Sequence, residues 1–211
     1  MKQVPYHGNR NNACALACYT MAAQYLLPEK NVTFEKLAKL SDWQPGYIVW
    51  GFPAWKWLMD QGVRLRDYDS IDYDAWVDKG KAGLRESVPA KEFKYYEKYT
   101  YDMNLERTRI MEMYHHSNFE HKRKTPSWSE VVKEHNSTGV VDVTLNSRTL
   151  NRGDGVAVHR VVLLDITDTK VVFHDPQDDW SGKSREETTD HFRSAFESLE
   201  GPELCRYFLD D

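Results

Sequence analysis

The stretch N-N-A-C-A-L-A-C-Y-T-M-A-A-Q-Y-L-L-P, Asn11 to Pro28, holds two of the chain's three cysteines, four residues apart. Its apolar positions fall at 14, 17, 18, 21, 22, 25 and 26. That spacing predicts an amphipathic helix over residues 13–27, with Asn12 as its N-cap and Pro28 as its stop. The two thiols sit differently on it. Cys14 lies in the first turn, where backbone N–H groups point outward and the helix dipole favours an anion; both lower a thiol pKa. Its own N–H is also placed to donate to an oxyanion. Cys18 lies one turn deeper and reads as a small buried apolar residue, as does Cys205 near the C-terminus.

The composition frames this reading. A chain of 211 residues suits one domain, 1–211, and can bury a real core. A net charge of -5 gives no pull toward nucleic acid or membrane. Three cysteines argue against a disulfide framework and for a reducing compartment. The N-terminus M-K-Q-V-P-Y-H-G-N has no apolar run, and no stretch approaches the roughly 18 apolar residues of a membrane span. A cytoplasmic location is the expectation.

Outward from the first helix, Thr33 caps a second one over Phe34–Leu40, Ser41–Phe52 is irregular, and Pro53–Gln61 is helical and closed by Gly62. Val63–Tyr68 alternates like a strand. Residues 70–125 are polar and aromatic and read as a helical insertion on the surface, with Asp72–Gly80 helical and the charge run His121–Lys124 at a solvated helix end. A phosphate-binding patch is the other reading of that run. A protein partner would find its surface on this insertion. Ser127 caps a helix over Trp128–His135. Val140–Leu145 is an apolar strand. Val156–Leu164 and Lys170–His174 form a hairpin around residues 165–169. Asp190–Leu199 is a helix and Leu204–Leu209 the last strand. Helices first and strands later make the class α+β.

The hairpin carries the second half of a constellation. Opposed residues of an antiparallel pair have a constant sum, so His159 falls opposite 175 or 176, give or take a register step. Asp175, in F-H-D-P, is held extended by Pro176. A carboxylate beside an imidazole fixes its tautomer and stabilises its cation. A Cys at a helix N-terminus with His and Asp distant in sequence on a sheet follows the logic of papain-type catalysis. Zinc is the rival use of these residues. Yet C-x3-C with one His gives three ligands, Cys18 should face the core, and His115-His116 lies in the polar insertion. The C-x-x-C spacing of a redox pair is absent. No metal or other cofactor is expected. Trp43, Tyr47, Trp50 and Trp55 read either as core or as the lining of a cleft.

These motifs resemble those of the papain-like cysteine peptidases of the double-glycine, bacteriocin-processing type, and more closely their stand-alone relatives. Such chains begin V-P-Y-x-x-Q and C-G-P-A-C; here Val4–Met21 reads V-P-Y-H-G-N, then C-A-L-A-C-Y-T-M. They continue with N-S-x-x-L-N-x-x-x-G, G-H-x-V-V-V and H-D-P; here these are N-S-R-T-L-N-R-G-D-G at 146–155, V-H-R-V-V-L-L at 158–164 and H-D-P at 174–176. The match covers roughly residues 3–65 and 127–200. The resemblance implies a papain-like fold, a helical half carrying Cys14 packed on a twisted antiparallel sheet carrying His159. It implies Cys14 as nucleophile, His159 as general base, Asp175 as orienting carboxylate, and a peptide or other amide as substrate. The oxyanion glutamine falls on Asn9, one methylene shorter. Ala15, Leu16 and Val158 replace Gly, Pro and Gly, and Arg160 adds charge beside the histidine, so the cleft is expected to be narrowed or reshaped. Acyl transfer on the same triad, and a weak or inactive binding or scaffold protein on this fold, are the alternatives.

Overall fold

The computed structural model describes residues 1–177 and 181–210. In chain order the elements are α1 (Cys14–Leu26), a 3-10 turn (Pro28–Lys30), α2 (Phe34–Leu40), α3 (Phe52–Asp60), β1 (Arg64–Asp69), α4 (Tyr73–Lys79), α5 (Lys81–Ser87), α6 (Ala90–Tyr99), α7 (Met103–Met113) and β2 (Phe119–Arg123). There follow α8 (Trp128–His135), β3 (Val140–Asn146), α9 (Ser147–Leu150), β4 (Val158–Ile166), β5 (Lys170–His174), β6 (Arg185–Thr188), α10 (Thr189–Glu197) and β7 (Leu204–Phe208). The strands form one seven-stranded sheet in the order β2-β1-β7-β3-β4-β5-β6. Every pairing is antiparallel except β1 with β2. The class is α+β.

Both sheet faces are covered, which explains the near-continuous apolar runs of β3 and β4. Val140, Val162, Leu164, Val172, Cys205 and Tyr207 pack with α1, α3 and the aromatic helices. Val141, Val143, Leu145, Val161, Leu163 and Phe173 pack the other way, with Val131 of α8 and Phe192 and Phe196 of α10. The alternation is that of a pleated strand. The caps at Thr33 and Ser127 form as read: Thr33 accepts from the Lys36 N–H, and Ser127 with Glu130 completes a capping box.

Residues 70–125 differ from the wholly helical surface insertion expected. They hold α4 to α7 and β2, and the run 121–124 begins on a strand beside β1. His121 faces Asp67 there, and Arg123 pairs with Asp72. Nor do residues 70–125 lie wholly on the surface: Trp76, Leu84, Phe93, Tyr96, Ile110 and Met113 are all buried. Trp55 is core, buried against Phe52, and Trp50, half-buried, packs onto that core against Phe52, Trp76 and Tyr96. Trp43 lies half-buried against Phe34, and Tyr47 is exposed.

Candidate active site

Asn12 does not cap α1. Asn11 and Asn12 both take left-handed conformations, with φ of 50° and 64°, which asparagine tolerates better than most residues. An N-cap needs extended backbone, so the turn they build puts Ala13 at the cap position, with no side-chain hydrogen bond to the helix. No side chain competes for the N–H groups of the first turn, and Cys14 opens the helix among them. Its thiol is half-buried, whereas Cys18 and Cys205 are fully buried.

The three thiols have different electrostatics. Burial pushes Cys14 up, but the charge and hydrogen bond of His159, with the Arg160 backbone, bring it net below the ordinary value. Cys18 donates to the Arg160 carbonyl at 3.4 Å, and burial and Asp142 hold its pKa well up. Burial and Asp142 do the same to Cys205. Burial pushes His159 down, but Cys14 and the bond to Asp175 raise it to about 10. The two shifts run in opposite directions, each favouring the charged form of its group beside the other.

His159 sits near the start of β4, with its Nε2 2.7 Å from Asp175 Oδ1. That leaves Nδ1 for the thiol. The ladder does not set the two residues directly opposite. Val162 faces His174, and Leu164 is an extra residue between the Leu163 and Asp165 pairings. This β-bulge shifts the register, and the side chains meet on a diagonal.

Asp175 is 1% exposed and its carboxylate is saturated. Oδ1 accepts from His159 and from Gln177 Nε2 at 2.6 Å, and Oδ2 accepts from Arg185 Nη1 at 2.8 Å. Burial would raise its pKa, but His159, Arg185 and Gln177 hold it below the usual carboxylate range. The backbone is fixed as well. The Asp175 N–H donates to the Gly182 carbonyl at 2.9 Å, and a Cβ on Gly182 would stand 1.7 Å from the Asp175 carbonyl oxygen.

The N-terminal segment is stapled to this strand end. His174 Nδ1 accepts from the Ser184 N–H at 3.0 Å, so Nε2 carries the proton and donates to the Val4 carbonyl at 2.9 Å. The histidine of H-D-P is therefore a structural clamp. Tyr6 donates to the Asp175 carbonyl at 3.1 Å and accepts from the Gln177 N–H at 3.2 Å. The Asn9 N–H donates to the Gln177 carbonyl at 3.3 Å. Asn9 is thereby tied to the segment that carries Asp175. Its Oδ1 is buried and has no hydrogen-bond partner among the described residues.

The sequence did not single out Tyr6, Gln177, Gly182 or Arg185. Tyr6 and Gln177 stand in or beside the V-P-Y and H-D-P motifs, which is the only signal they carried. Arg160 leaves the cleft: it is buried between Asp142, at 2.6 Å, and Glu203, under the Tyr19 ring. Leu16 is buried too, and Val158 is 52% exposed. Tyr95 of α6 comes close enough that the Cys14 charge, after burial, raises its pKa.

Among the described residues, one group of ligand-type side chains lies close enough to share an ion. It is Asp67, Asp69 and His121, and not the cysteine pair. The His121 ring nitrogens already meet Asp67 at 3.2 Å and the Ile71 carbonyl at 3.1 Å.

No protein family matches the chain by sequence, and no curated protein does. Among solved structures, the chain is similar to the peptidase domain of Streptococcus ComA, a bi-functional ABC transporter involved in a quorum sensing pathway. The TM-score is 0.50 at 11% identity, with 99% of this chain and 100% of that chain covered. At that identity the likeness is one of fold: the α+β architecture here is that of the neighbouring peptidase domain.

Proposed function

We propose that the chain is a cysteine hydrolase that cleaves a peptide or other amide bond. One observation carries this reading: Cys14, His159 and Asp175 form a continuous chain in which the thiol is driven toward thiolate and the imidazole toward imidazolium. The likeness in fold to a peptidase domain supports it.

The chemistry follows from the groups present. The Cys14 thiolate attacks the carbonyl carbon, and the C=O π electrons move onto oxygen. The Cys14 N–H at the uncapped start of α1 and the Asn9 amide stabilise that oxyanion. The His159 imidazolium protonates the departing nitrogen as the C–N bond breaks, leaving an acyl-thioester on Cys14. Neutral His159 then takes a proton from water, whose oxygen displaces the thiolate, and the acid is released. Asp175 holds the imidazole by its Nε2 throughout, with Nδ1 toward the sulfur.

Turnover then needs the ion pair. It rises with pH as Cys14 ionises, below the ordinary thiol value, and falls as His159 loses its proton near 10. Incubation with a pool of p-nitrophenyl esters and peptide p-nitroanilides tests the reading. The expected result is a burst of chromophore and an acyl adduct on the peptide containing Cys14, both lost in Cys14→Ser and in His159→Ala. A folded protein that gives no adduct with any member of the pool would leave a binding or scaffold role in its place.

A further inference from the structure

We infer that Arg185 is a positioning residue of this site, a fourth member of the chain that runs Cys14, His159, Asp175, with Gln177 as its partner on the other carboxylate oxygen. The inference rests on the hydrolase reading above. Asp175 is buried, and His159 uses only one of its oxygens. A carboxylate held by a single bond can rotate and present either oxygen or none. Here it cannot. Arg185 Nη1 takes Oδ2 at 2.8 Å, while Gln177 Nε2 shares Oδ1 with the imidazole at 2.6 Å. Arg185 is itself fixed. It stands on β6 directly opposite Phe173, and its guanidinium lies over that ring, 5.7 Å from the centroid. β6 thus brings a fixed cation to the far side of the Asp175 carboxylate from His159.

A cation there does two things. It keeps Asp175 ionised in a buried place, and it adds positive potential to the neighbourhood of Cys14. The other charged or titratable groups acting on the site are His159 on β4, Cys18 of α1, Tyr95 of α6, His174 on β5, Lys183 before β6, and Arg160 on the opposite side of β4. His174 is held in one neutral tautomer by bonds at both nitrogens, and Arg160 is matched by Asp142 and Glu203. That leaves Arg185 as the cation joined directly to Asp175.

The test uses the rate of Cys14 alkylation by iodoacetamide against pH, which needs no substrate. In Arg185→Met the lost cation and the freed carboxylate both make the ion pair harder to form. The acid limb should move to higher pH by about 0.5 unit or more, which at a fixed pH below the limb is about threefold in rate. Arg185→Lys keeps the charge and should restore most of the shift; a residue that only stabilises the fold would not sort its variants by charge. Thermal unfolding of both variants shows that the comparison is between folded proteins. An acid limb unmoved in folded Arg185→Met overturns the inference while leaving the hydrolase reading intact. An ordinary thiol profile in the unaltered protein overturns both.

Discussion

One methylene separates Asn9 from the glutamine of the motif it resembles, and the oxyanion role proposed for it depends on how its backbone is held. The Asn9 backbone is drawn against Gln177, which is locked by Tyr6 and bonded to Asp175. The end of its amide left without a partner among the described residues is the acceptor Oδ1, so donation to a developing charge would fall to Nδ2. Replacing Asn9 with alanine should therefore lower kcat by about 10²–10³, or about 2.7–4 kcal/mol of barrier, with KM little changed. Steady-state kinetics on the most reactive ester of the pool measure this, and an unchanged kcat would remove Asn9 from the site. At this scale the juxtaposition of Cys14, His159 and Asp175 was legible in the sequence, because each sits in a local pattern: a helix start, a strand, and an X-Pro corner. Arg185 was not. It reaches Asp175 only because β6 folds back on β5, and four residues of R-E-E-T carry no strand signal. Arg160 was misplaced for a related reason. Its charge suggested the cleft, while pleating sends it to the opposite face from His159, where Asp142 and Glu203 receive it.

The β4–β5 hairpin is the element on which the site depends. Its two apolar strands and the turn between them were readable from alternation and composition. The bulge at Leu164 was not, since nothing in V-V-L-L-D-I marks which residue the ladder omits. The same element explains Gly182, whose missing side chain lets the chain return against Asp175 after the strand ends. Gly182→Ala should force backbone apart at the carboxylate. A loss of about 1–3 kcal/mol in unfolding free energy is expected, with slower Cys14 alkylation near neutral pH. Chemical denaturation and alkylation rates check both, and wild-type values in both would show that the close approach is dispensable. At the other sheet edge, the run His121–Lys124 was taken for a solvated helix end because it is charged throughout, while its first three residues belong to β2. Parallel pairing with β1 is a long-range event, and the buried Asp67 opposite His121 gives that charged strand its reason to be there.

Across the whole molecule the sheet is the divider. α1 and the aromatic helices cover one face, and α8 and α10 cover the other. Cys14 arrives from a helix, His159 and Asp175 from the β4–β5 hairpin, and Asn9 from the segment stapled along it, so no element makes the proposed site alone. The state of Cys14 therefore reports on the whole arrangement. The most direct test is the rate of iodoacetamide alkylation of Cys14 measured from pH 4 to 9, in the unaltered chain and in His159→Ala. A thiolate already formed well below the free-thiol value of about 8.5, and an ordinary thiol curve once His159 is removed, is the result this account predicts. An ordinary curve in both proteins would contradict it.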